Sequence, residues 1–178
     1  MNTFYRIGDK IISMEKLIRS LTQIMSLRSE GMSQQEVANR YGVDRSFISR
    51  LEGLGAVRRG ESIAVVGFPL QNKDEIHSLL KELGVDFSLL MTNEERWRFV
   101  KEKSGLELLN QVMDLVAQVR TYDVVVLIGS RQRINWSAAL LDKEVLGIDL
   151  GESPLTEDKY VDPDYLRKLI LSAQEIES

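Results

Sequence analysis

Apolar side chains fall at Leu17, Ile18, Leu21, Ile24, Met25 and Leu27 along residues 13–29. That spacing predicts a helix with a broad apolar stripe, started by Ser13 as its cap. A shorter amphipathic segment follows. Ser33 and Glu36 form an S-x-x-E capping pattern, which satisfies amides left open at a helix start, and Val37, Ala38 and Tyr41 share one face. Gly42 ends this segment, because the chain must turn left-handed there and glycine does so without a steric penalty. Asp44 is a good cap for a third helix, whose apolar face carries Ile48 and Leu51. Ahead of the three, residues 4–12 (FYRIGDKII) predict a small hairpin around Gly8-Asp9, or an extended arm.

After residue 61 the period changes. Residues 62–69 (SIAVVGFP) are rich in β-formers, and residues 72–84 put Ile76, Leu79, Leu80 and Leu83 on one helical face. Residues 85–91 predict a second strand. Thr92 with Glu95, and Ser104 with Glu107, are two further capping patterns that open helices. Residues 122–130 (YDVVVLIGS) form a nearly continuous apolar run, as in a strand covered on both faces. A short helix over 135–143 and a fourth strand over 145–151 follow. A last helix starts at Asp162-Pro163 and runs to about Ile176, with proline at the tolerated first position. Strands alternating with helices predict an α/β fold: a small, mainly parallel four-stranded Rossmann-like sheet with helices on both faces and strand order 2-1-3-4. Two domains are expected, residues 1–60 and 61–178, joined by a short linker over residues 54–61 that carries Arg58 and Arg59.

The run Gln34, Val37, Ala38, Tyr41, Gly42, Val43, Ile48, Leu51 resembles the helix-turn-helix of the phage repressor and Cro-like (XRE-type) DNA-binding family. The resemblance covers about twenty residues and implies a three-helix DNA-binding head. The chain departs from the family pattern after residue 53, where GLGAVRRGE leads into a strand instead of further helices. An ordinary helical hairpin gives no reason to leave Arg45, Ser46, Ser49 and Arg50 on the outward face of its second helix. A recognition helix needs such residues, because base edges and phosphates are read by hydrogen bonds. The expected geometry sets these four in the major groove and brings Gln34 and Gln35, at the positive end of the preceding helix, to phosphates. Double-stranded DNA and a homodimer are the partners this implies.

Charge fits that division. The chain carries a net charge of −4, yet residues 1–61 hold 10 Lys+Arg against 7 Asp+Glu, whereas residues 62–178 hold 13 against 20. The asymmetry suits a basic, DNA-reading head on an acidic body. There is no cysteine, which excludes disulfides and thiolate metal sites. The start MNTFYRIGDKIIS has no secretory pattern, and no apolar run approaches the length of a membrane span, so a cytoplasmic protein with no membrane association is expected.

Candidate chemistry in the second half lies where ligands bind parallel sheets, beyond the carboxyl ends of the strands at the point where strand order reverses. Gly67 and Phe68 after the first strand, and Gly129, Ser130, Arg131 and Arg133 after the third, predict a site for a small anionic effector, arginine supplying a fork of donors. Enzymatic signatures are missing: there is no G-x-G-x-x-G, no G-x-x-x-x-G-K-[ST] and no G-x-S-x-G, and His77 stands alone on a polar helix face. Asp149, at the end of the fourth strand, is a lone candidate for a metal or a ribose. No catalytic residue, metal or cofactor is assigned. The expected function is a sequence-specific transcription regulator without enzymatic activity. The alternatives are a DNA-associated enzyme with an unfamiliar α/β active site, and a scaffold whose helical head binds protein.

Overall fold

In a computed structural model, residues 3–56, 60–143 and 145–174 are described. The chain divides into two compact units, Met1–Ala56 and Val57–Ser178. Arg58, Arg59 and Ile176 lie outside the described residues.

The first unit opens with an antiparallel hairpin, β1 (Phe4–Ile7) and β2 (Lys10–Ser13), turned at Gly8 with φ 59°. Ser13 then caps α1 (Met14–Ser29), accepting from Lys16 N. Two shorter helices follow, α2 (Gln34–Tyr41) and α3 (Arg45–Leu54). Ile24 of α1, Val37 and Ala38 of α2 and Ile48 of α3 form the buried core, with Met25, Leu27, Met32, Tyr41, Val43 and Leu51 packed around them.

The second unit is a four-stranded parallel sheet with order β4-β3-β5-β6, formed by β3 (Ile63–Gly67), β4 (Phe87–Leu90), β5 (Val124–Gly129) and β6 (Val145–Asp149). This is the 2-1-3-4 order expected from right-handed crossovers. Alternation along the two central strands separates two cores. Ile63, Val65, Val124, Val126 and Ile128 pack with α4 (Lys73–Glu82) and α8 (Pro163–Ala173). Ala64, Val66, Val125 and Leu127 pack on the other face with α6 (Gly105–Val119) and α7 (Arg131–Leu141). A nine-residue helix, α5 (Asn93–Lys101), links β4 to α6.

Two elements differ from expectation. Helix α7 begins at Arg131, four residues before the predicted start, because the buried Ser130 caps it by accepting from Arg133 N. Arg131 and Arg133 therefore stand on the first turn of a helix and not in a loop. Residues 150–161, between β6 and α8, form a strap across the carboxyl ends of the strands. Leu150 N donates to Gly129 O (2.8 Å), Lys159 N to Pro69 O (3.0 Å) and Gln71 N to Lys159 O (2.9 Å). Both amide atoms of Asn72 bind the backbone of Val161, and Asn93 N donates to Asp158 Oδ1 (2.6 Å). Among the described residues, no helix is long and apolar enough to cross a membrane.

Candidate functional site

The corner between α2 and α3 is held by its backbone. Val43 N donates to Ala38 O (3.0 Å) and Gly42 N to Asn39 O (3.4 Å), with Gly42 left-handed at φ 63°. This is the Schellman closure, and the Ala38–Val43 apolar contact accompanies it. At the other end of α2, Ser33 Oγ accepts from Glu36 N (3.2 Å) and Glu36 Oε2 accepts from Ser33 N (2.8 Å). The bonds from Ser33 hold the Glu36 carboxyl below its ordinary range. Asp44 occupies the cap position of α3 with extended backbone, but its carboxylate makes no capping bond.

With Ile48 buried and Leu51 partly so, a rise of 100° per residue turns Ser46, Ser49 and Arg50 away from the core and leaves Arg45 at the flank. All four are exposed, and among the described residues none of their side chains takes a hydrogen bond or ion pair within the chain. Of the other arginines of this unit, Arg19 pairs with Glu15 at 3.0 Å, Arg28 pairs with Glu52 and Arg6 donates to Gly8 O, whereas Arg40 is exposed and, like Arg45 and Arg50, has no hydrogen bond or ion pair among the described residues. Gln34 Nε2 donates to Glu52 Oε2 (2.8 Å), so its amide braces α2 against α3. Arg28 and then Gln34 hold the Glu52 carboxyl low. Gln35 is exposed and bonds Asn39 on its own helix at 2.9 Å. Phe47, 43% exposed on the other flank of α3, was not among the sequence candidates. Its signal was its place beside Ile48, one step of the helix away from the core.

The strand-end residues of the second unit come together differently from the expected anion cradle. Arg131 Nε donates to Asp149 Oδ2 (2.8 Å), and its Nη1 lies 3.2 Å from Glu152. Asp149, held below its usual range by Gly151 N and then by Arg131, thus has both oxygens committed within the chain. Ser130 is 2% exposed, and its hydroxyl meets Ser153 Oγ of the strap at 2.8 Å. Gly67 is packed among Ile128, Leu70 and Leu90, and the half-buried Phe68 donates its backbone N–H to Ile128 O. A β-carbon on Gly129 would stand in ordinary contact with Phe68 O at 3.5 Å. Arg133 is exposed, lies 5.7 Å from the Trp136 ring centroid and has no ion pair among the described residues.

A residue outside the predicted set joins this region. Arg96 of α5 donates to Asn93 Oδ1 (2.7 Å) and Leu155 O (2.9 Å), tying α5 to the strap. Burial, and then the charge of Arg133, push its guanidinium below its ordinary value, with Asp158 opposing. Sequence offered no signal for the tie from Arg96 to the strap, because Leu155 lies 59 residues away. Among the described residues there is no cluster of His, Asp and Glu suited to a metal ion. No family model, curated protein or solved structure matches the chain.

Proposed function

We propose that the protein is a sequence-specific DNA-binding transcription regulator of the helix-turn-helix class that works as a homodimer. The observation that carries this reading is the outward face of α3. Four polar side chains, two of them arginines, stand on a helix fixed by a closed corner and have no hydrogen bond or ion pair among the described residues. Such a face matches the demands of the major groove, where arginine reads guanine through two hydrogen bonds and serine reads either base type. Exposed Phe47 adds an apolar group of the kind that meets a thymine methyl. One such head spans only a few base pairs, too few to single out a genomic site, and two heads on half-sites one helical turn apart remedy this.

The test is selection from a random duplex pool with the full chain at fixed salt, because phosphate contacts alone bind every sequence and weaken as salt rises. The expected result is an enriched motif with two-fold symmetry. A pool that stays random after repeated rounds would contradict the reading, and favour the scaffold or the tethered enzyme.

Part of the same proposal is a small anionic effector at the strand ends. Arg133, which has no ion pair among the described residues and whose charge acts on Arg96, supports it better than Arg131, which two carboxylates already neutralise. Inorganic phosphate should raise the melting temperature of the parent more than that of Arg133→Ala. Equal shifts would remove the effector from the account.

A further inference from the structure

Helix α6 is apolar around roughly half of its circumference, and only part of that half faces the sheet. Val119 is buried in the core with Leu115 and Val116 packed against it. Leu106, Leu109, Val112 and Met113 are 69%, 57%, 38% and 51% exposed. At 100° per residue these four fall within about 120° of the helix, a stripe that includes the direction of Val116, so the exposed apolar surface lies toward the start of the helix and the packed part toward its end. On α7, which touches α6 on the same face of the sheet, Trp136 and Leu140 are one turn apart and 57% and 50% exposed. The six side chains together expose on the order of 600 Å², the upper end for the largest apolar patch of a monomer and close to the roughly 800 Å² that each partner buries in a standard interface.

Charge identifies the occupant. Between Leu106 and Met113 the one charged residue is Glu107, and its carboxylate is occupied by the Ser104 cap. Residues 62–178 carry 20 Asp+Glu against 13 Lys+Arg, so two copies of this acidic half repel each other over most approaches. The α6 part of the face carries no free charge and escapes that repulsion, and at the α7 margin the charge beside Trp136 is the cation of Arg133, which does not add to the acidic repulsion. A two-fold contact sets each patch against its own copy and asks for such self-compatibility. Trp and Met are also enriched at interfaces.

We infer that the α6–α7 face is the homodimer interface and that its occupant is the same face of a second copy. The inference rests on the dimer proposed above and gives it a surface. Sedimentation equilibrium of the full chain, without DNA, tests it. The parent should be a dimer at micromolar concentration. Leu109→Glu with Met113→Glu should be a monomer, its dissociation constant weakened at least about 100-fold, as expected for truncating an interface centre. Ile18→Glu, on the exposed part of α1, should remain a dimer. A monomeric parent, or a double variant that stays dimeric, overturns the inference.

Cross-linking keeps the test decisive if the double variant misfolds. The chain has no cysteine, so a disulfide in a single-cysteine variant must join two copies. Val112→Cys should oxidise to a covalent dimer faster than Ile18→Cys, and the opposite order overturns the inference. Neither measurement uses DNA. A failure here therefore leaves the DNA selection standing, and a failed selection leaves this result standing.

Discussion

Ile134 Cγ2 lies 2.8 Å from the place a β-carbon would take on Gly147. Helix α7 rests on β6 at that point, and the close approach depends on the missing side chain. Gly147→Ala should destabilise the second unit by about 1–3 kcal/mol, the usual cost of overpacking. Urea denaturation reads this directly, and an unchanged midpoint would mean that α7 slides to make room. Arg45 and Arg50 present the opposite case. Both are exposed and have no partner among the described residues, so Arg45→Ala or Arg50→Ala should change stability by no more than about 0.5 kcal/mol. The same changes should weaken binding to the selected site by roughly 1–3 kcal/mol for each arginine that grips a guanine. Parent-like binding by both variants would remove α3 from the DNA interface.

Three helices start with the same reciprocal device: Ser33 with Glu36, Thr92 with Glu95, and Ser104 with Glu107. Each glutamate is held below the ordinary value of 4.5: Glu36 by Ser33, Glu95 by Lys73 and then Thr92, and Glu107 by the Ser104 backbone and hydroxyl. In the unfolded chain these carboxyls take up protons near 4.5, before the folded chain does. Their contribution is therefore complete above about pH 4.5 and is lost as pH falls through the lower folded values. Glu107→Gln, which keeps a side chain able to cap, should show a shallower loss of stability between pH 4.5 and pH 3 than the parent. Identical acid profiles would show that the capped carboxylate does not contribute.

These caps were legible in the sequence because donor and acceptor lie three residues apart. The apolar runs of β3 and β5, and the stripe of α3, were legible for the same local reason. The start of α7 was not, since Ser130 caps a polar run, RQRIN, that carries no helical period. The strap over residues 150–161 was beyond reach, because its bonds to Gln71, Asn72, Asn93 and Gly129 join distant positions. The same limit applied to the candidate sites. Periodicity turned Arg50 and Ser49 outward correctly in relation to Ile48, whereas the pairing of Arg131 with Asp149 and Glu152, and of Gln34 with Glu52, depends on tertiary neighbours.

At the scale of the whole molecule, each unit has its own core. Ile24, Val37, Ala38 and Ile48 serve the first, and the two faces of the parallel sheet serve the second. A β-carbon on Gly42 would meet nothing within 4 Å, so the cost of Gly42→Val is conformational: a β-branched residue forced to φ 63°. It should remove about 1–3 kcal/mol from the first unit. The expected melt loses the helical transition of that unit early and keeps the transition of the sheet. Loss of both together would mean that the two units fold as one. Direct readout of bases by α3 underlies the proposed regulator. Its most direct test is to repeat the random-pool selection with Arg50→Ala and compare the motif with that of the parent. Preference should be lost at one base pair in each half-site and kept at the others. A motif unchanged at every position, or one weakened evenly along its length, would contradict direct readout by α3.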